Sequence, residues 1–198
     1  VVLTDLVVRN NEALQGGGVH VASDAKRLVM TGAMIQNNTA QEVGGGVYTS
    51  TSLSMTDGWL SDNTATGAGG GLYATLVAPQ VDESSFWGNT AANGGGIALE
   101  STTTGAFFAN RIKDCEFWLN NASENGGALW LNGAGEQFLK EDLLILNAAG
   151  ADGGGIWADG TVSLNLSSID QNMIYYFRNR DQSPWNIRNS LRQFFSIL

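Results

Sequence analysis

Short apolar alternations recur along this chain, each cut by the same polar punctuation. One set reads Val19-His20-Val21, Val47-Tyr48-Thr49, Leu72-Tyr73-Ala74, Ile97-Ala98-Leu99, Leu129-Trp130-Leu131 and Ile156-Trp157-Ala158. The first and third positions are apolar or small, and the middle one varies. Side chains alternate across a strand, so this pattern predicts strands with the first and third residues inward and the middle one outward. A second set of strands is predicted from runs such as Leu28-Val29-Met30 and Leu53-Ser54-Met55, and a third from runs such as Phe86-Trp87-Gly88-Asn89. No segment of residues 1–172 keeps an i, i+3, i+4, i+7 apolar pattern between its glycines, which excludes helices there.

The punctuation has a fixed period. Asn11, Asn38, Asn63, Asn89, Asn120, Asn147 and Asn172 each close an apolar run, at steps of 27, 25, 26, 31, 27 and 25 residues. The first six continue as Asn-x-Ala and reach a glycine block: Gly16-Gly17-Gly18, Gly44-Gly45-Gly46, Gly69-Gly70-Gly71, Gly94-Gly95-Gly96, Gly126-Gly127-Ala128 and Gly153-Gly154-Gly155. A repeat of about 25 residues is a solenoid coil, which buries its apolar side only by stacking on its neighbours. Three short strands per turn predict an all-β, single-stranded parallel β-helix of about seven coils. A sandwich of antiparallel hairpins would not repeat one turn chemistry at near-constant spacing. Asn suits the corner because its amide bonds nearby backbone and tolerates positive φ. Stacked about 4.8 Å apart, successive amides can also bond one another. Glycine permits positive φ and close backbone approach.

The repeat region covers residues 1–172. Residues 173–198 form a different segment, with no glycine, four Arg and six aromatic residues. Ser183-Pro184 reads as a helix start, with Ser as cap and Pro in the first turn. Ile187, Leu191, Phe194 and Leu198 would then share one face of a short C-terminal helix. Such a helix could cap the open strand edges at the end of a solenoid. Two alternatives are a basic amphipathic helix that touches a membrane surface or partner, and the residue of a truncated reading frame.

Charge separates the two segments further. Residues 1–172 carry 6 Lys/Arg against 18 Asp/Glu, and residues 173–198 carry 4 against 1, which together give the net −9. An acidic repeat region repels phosphate backbones, so nucleic acid is not an expected partner. Hydrophobic residues make up 43% of the chain, enough to build a core rather than a disordered segment. Cys115 is the only cysteine, so no disulfide can close within the chain. No run of 18 apolar residues predicts a transmembrane helix, and no signal peptide is visible. The chain starts inside a strand-like run, Val1-Val2-Leu3-Thr4. That start is expected of a fragment with further β-helix coils on its N-terminal side.

These residues resemble the repeats of chlamydial polymorphic membrane proteins, a family marked by Gly-Gly-Ala-[Ile/Leu/Val] and Phe-x-x-Asn motifs. Phe86-Trp87-Gly88-Asn89 and Phe117-Trp118-Leu119-Asn120 match the second motif, and Gly126-Gly127-Ala128-Leu129 the first. Other copies carry Gly for Ala. The likeness spans about residues 1–172. Similar motifs occur in large secreted right-handed β-helix proteins of the pectate-lyase-like kind. The resemblance implies right-handed winding, an extracellular or outer-membrane-associated location, and a surface-displayed passenger that acts in adhesion. It also implies a C-terminal membrane barrel, which nothing in these residues resembles.

In a solenoid, one outward position becomes a line over successive coils. The middle of the strand after each glycine block reads His20, Tyr48, Tyr73, Ala98, Trp130, Trp157. The position two before each corner Asn reads Arg9, Gln36, Ser61, Trp87, Trp118, Ile145, Asp170. Tyr48, Tyr73, Trp130, Trp157, Trp87 and Trp118 are the candidate ligand-binding residues, since outward rings can stack on sugars or enter a partner surface. They equally serve as strand-stabilising aromatics. The expected function is non-enzymatic adhesion, with a glycan or a host or cell-surface protein as partner. The alternatives are a polysaccharide-active lyase or hydrolase and a purely structural spacer.

Catalytic signals are thin. His20 is the single histidine, and Arg111-Ile112-Lys113 matches an Arg-Ile-Lys motif of some pectin-cleaving β-helix enzymes without that family's aspartate motifs. A glycosidase needs converging carboxylates. Asp62, Asp82, Glu83, Asp114 and Glu116 show no sequence register that aligns them. No catalytic residue, metal ligand or cofactor is expected: the calcium-binding nonapeptide of other β-solenoids is absent, and no glycine block continues as a phosphate loop. Asn37-Asn38-Thr39, Asn121-Ala122-Ser123 and Asn165-Leu166-Ser167 fit the N-glycosylation pattern.

Overall fold

In a computed structural model the repeats wind into an all-β parallel solenoid of about six turns. The structure describes residues 1–75, 79–101, 110–133, 137–160, 162–165 and 168–174. The helical tail expected within 173–198 lies almost wholly outside them. Every strand pairing among the described residues is parallel, and residues one coil apart are partners, as in Leu60↔Phe86 and Phe86↔Phe117.

Each turn contributes to four sheets, not the three expected. In one coil the strands are Ser52–Thr56 in the first sheet, Trp59–Ser61 in the second, Thr64–Ala65 in the third and Leu72–Thr75 in the fourth. The extra sheet is built from the Asn-x-Ala segments. Only two residues long in most coils, they carry no alternation that a sequence pattern could register, yet Thr64 pairs with both Thr39 and Thr90. Among the described residues, three sheets have seven strands and the fourth has six. The described residues make about six turns, the fourth sheet ending with its sixth strand at Ile156–Asp159.

The core is a single apolar column. Leu28, Ile35, Leu53, Leu60, Leu72, Phe86, Ile97, Phe117, Leu129 and Leu144 are buried within one cluster. Phe86 and Phe117 stack directly inside it, with centroids 4.9 Å apart and planes at 7°.

The corner between the second and third sheets is held by asparagine. Asn38 donates from Nδ2 to Asn63 Oδ1 at 3.0 Å, and the same contact links Asn63 to Asn89, Asn89 to Asn120, and Asn120 to Asn147. The ladder ends at Asn11 on one side and Asn172 on the other. From Asn38 onward, the second N–H of each amide reaches a core-strand carbonyl in the preceding coil, as Asn89 does to Leu60 O at 2.9 Å. Each Oδ1 also takes the backbone N–H of the preceding Asn, so Asn89 Oδ1 accepts from Asn63 N at 3.0 Å. Both donors and both lone pairs are used, which is what full burial of an amide requires. The positive φ expected at the Asn lies instead one residue earlier, at Asn37, Asp62, Gly88, Leu119 and Leu146. That left-handed residue turns the chain so the Asn side chain points inward.

The glycine block answers a close approach. A Cβ on Gly95 would lie 2.5 Å from Gly127 O and 2.6 Å from Asn121 O, both backbone atoms. On Gly96 the tight contacts are Ala128 O at 2.8 Å and the Phe117 ring at 3.0 Å. The third position is thus the least crowded by backbone, and it is there that Ala128 replaces glycine.

Two outcomes follow. Asn89→Ala strands the Asn63 amide, the Asn63 N–H and the Leu60 carbonyl, at about 1–3 kcal/mol for each unsatisfied group. Denaturant unfolding should show a loss of about 3 kcal/mol or more. Asn89→Asp keeps the shape but loses both donors, and should be at least as damaging at neutral pH. Gly95→Ala should lower the melting temperature far more than Gly96→Ala, because only the former drives a methyl into two backbone carbonyls.

Candidate functional site

The six predicted aromatic residues fall on two different sheets. Tyr48, Tyr73, Trp130 and Trp157 lie on the fourth sheet, in register through Tyr73↔Tyr48 and Trp130↔Trp157. Trp87 and Trp118 lie on the second, paired directly. The first sheet separates the two on one side and the third on the other, so the six do not form one surface.

The fourth-sheet row is broken and partly covered. His20 stacks on Tyr48 at 4.7 Å, Tyr48 on Tyr73 at 5.8 Å, and Trp130 on Trp157 at 5.6 Å. Ala98 interrupts the line and is fully buried. Tyr73 and Ala98 pack with Ala68, against Val43, Tyr48 and Trp130. The Tyr73 hydroxyl donates to the Glu100 carboxylate. Burial first, and this carboxylate second, push the phenol well above its usual range. Much of this row has become a small outer core.

The second-sheet row is open. Trp59 stacks on Trp87 at 6.4 Å and 20°, and Trp87 on Trp118 at 6.1 Å and 16°. With coils about 4.8 Å apart, these indoles slide about 4 Å sideways over one another, so each leaves part of its face uncovered. Trp59 is 38% exposed and Trp87 41%. Val7 and Met34 extend the strip toward the first coil, at 55% and 42% exposure. Half-buried Leu143 and Ile145 extend it the other way. Trp59 escaped the sequence reading because it stands four residues before its corner Asn, not two. Strand residues i and i+2 share a face, and that rule, applied to Trp59 and Ser61, was the available signal.

Ionisable groups collect along the corner between the first and second sheets. Asp57, Glu83, Asp114 and Glu141 occupy the same left-handed corner position in successive coils. Contrary to the sequence expectation, Glu83 and Asp114 therefore do align. The Arg-Ile-Lys residues sit beside them as structure: Arg111 pairs with Asp82 at 2.6 Å, Lys113 with Asp114 at 2.6 Å, and Ile112 is buried in the core. Hydrogen bonding to Lys113 holds the Asp114 carboxyl below its ordinary value. Glu116 lies on the second sheet and Asp62 at the far corner, apart from this column. A general acid for glycoside cleavage needs a raised carboxyl facing substrate. The raised carboxyl here is Asp142, pushed up to about 7 by burial. It is 2% exposed and accepts the Cys115 N–H at 2.9 Å. It faces the interior and can reach no substrate. Burial also pushes the Cys115 thiol up to about 12, so it is no nucleophile. Among the described residues, no group of three or more His, Cys, Asp or Glu is placed to hold a metal ion.

Comparison with protein-family models, with curated proteins and with solved structures gives no match. The likeness to polymorphic membrane protein repeats rests on the residues alone.

Asp142 gives a pH signature. Its carboxyl is raised in the folded state, so the neutral form is favoured there. Its contribution to stability is fully present below about 4, the unfolded value, and is lost as pH rises through about 7. The melting temperature should therefore fall between pH 5 and pH 8, and Asp142→Asn, which keeps the acceptor for Cys115 N–H, should flatten that fall.

Proposed function

We propose that this chain is a non-enzymatic binding segment of a secreted or cell-surface protein, acting in adhesion to a glycan or to a surface protein. The observation that carries the reading is the apolar strip on the second sheet, in which Val7, Met34, Trp59 and Trp87 are exposed and Trp118 is half-buried. Exposed apolar surface rimmed by polar residues marks interaction sites. Right-handed winding fits the handedness rule for parallel crossovers. Membership among polymorphic membrane protein repeats is supported by the Phe-x-x-Asn and Gly-Gly-Ala motifs. The carboxylate excess supports the exclusion of nucleic acid. No helix among the described residues is long and apolar enough to cross a membrane.

The test is retention without turnover. The immobilised chain should hold at least one class from a panel of glycans, glycoproteins and cell-surface proteins. Double substitution Trp87→Ala/Trp118→Ala should reduce that retention at least tenfold, with no new reducing ends or unsaturated uronates. Product formation would instead establish an enzyme. Retention of nothing would leave the spacer reading.

A further inference from the structure

We infer that the second sheet's outer face is a docking track for one linear chain of uncharged pyranose sugars, laid parallel to the solenoid axis. The inference rests on the binding reading above and names its ligand class.

Dimensions come first. The apolar part spans six strands, from Val7 to Ile145, or about 24 Å at the usual strand spacing. Each strand offers two outward positions, so the strip is about 10 Å wide with side-chain radii included. Such a track presents on the order of 250 Å², far below the roughly 800 Å² per partner of a stable protein interface. A second copy of this chain or a globular partner would bury too little here. A narrow extended polymer fits.

Polarity then selects among polymers. An extended peptide across Met34, Trp59 and Trp87 would press backbone N–H and C=O groups against apolar side chains with no partner, which is costly. A pyranose carries apolar C–H faces and a rim of hydroxyls. The offset indoles supply surface for the faces. Exposed Glu83 and Glu141 on one side, and Asn37 and Asp62 on the other, supply acceptors for the rim.

Charge decides the rest. The flanking acidic corner repels uronate polymers and anionic lipid headgroups. A membrane-binding face would need lysines and arginines at its margins in excess of carboxylates, whereas Arg111, Lys113 and Lys140 at this margin are each paired with one, Asp82, Asp114 and Glu141. Inside the strip Glu116 is the one charged side chain among the outward positions from Met34 to Ile145.

Affinity electrophoresis of the whole 198-residue chain tests this. The gels would contain β-1,4-glucan, β-1,3-glucan, α-1,4-glucan, mannan or galactan, with polygalacturonate and anionic vesicles as comparisons. The expected result is retardation by at least one neutral polymer, unchanged between low and high salt. Trp87→Ala should weaken it at least tenfold, Trp87→Phe much less, and Trp157→Ala on the fourth sheet not at all, with melting curves confirming the fold of each. Absence of retardation by every neutral polymer, while a protein ligand or vesicles bind and Trp87→Ala abolishes that binding, would overturn the sugar assignment and leave the binding face standing. Neutral-polymer binding that survives Trp87→Ala but is lost in Trp157→Ala would overturn the track. Retention of nothing in either panel would sink both.

Discussion

The asparagine ladder is the constraint on which the molecule depends. It fixes one corner of every turn at one radius and one height. Five of its amides are wholly buried, and each makes four hydrogen bonds. A buried amide left half-satisfied would be worse than an apolar residue, so the ladder is stable only as a column. Each coil therefore requires its neighbour in register. That requirement, with the parallel pairing it enforces, delivers Phe86 onto Phe117 and Leu60 onto Ile35 in the core. The glycine blocks serve the same end on the adjacent corner, where backbone carbonyls of successive coils come too close for a Cβ.

With the inside so determined, the outside is free to vary, and the coils diverge there. Outward positions on the fourth sheet bear rings, yet closure over Ala98 and the Tyr73–Glu100 contact draw several of them into packing. The second sheet takes a different course. Its outward indoles are displaced sideways, with Trp59 and Trp87 open to solvent and Trp118 half-buried, beside a corner whose left-handed residues are mostly acidic. One side of the same coil thus stabilises the fold with its aromatics, and another presents them.

Most of the architecture was legible in the sequence because the needs of a stacked coil are local and recur. Asn, Gly and the inward apolar positions each answer the same physical demand in every turn, so their spacing reveals the period. The third sheet was not legible, since Asn-x-Ala is too short to carry an alternation. The site was half legible. Trp87 and Trp118 stand at a repeated offset from Asn, and Trp59 does not. The acidic corner column stands at a constant offset, six residues before Asn63, Asn89, Asn120 and Asn147, but it mixes Asp with Glu and so carries no single repeated letter. Asp142 gave no signal at all. Its burial comes from occupying the inward position after the corner, where neighbouring coils place Ser84 and Cys115.

A solenoid also limits what chemistry it can host. Catalysis asks for unlike groups converging on one point from several directions. Stacked coils instead set like positions in lines about 4.8 Å apart, and Asp142, the one strongly raised carboxyl among the described residues, is turned inward. Lines suit ligands that are themselves periodic. An axial row of similar contacts gains affinity by adding weak equal steps, each needing no precise convergence. On the proposed sugar track, the indole row contributes through its length: it runs one step per coil, shifts sideways by two strand positions between Trp59 and Trp87, and takes its spacing along the axis from the amide column at the neighbouring corner.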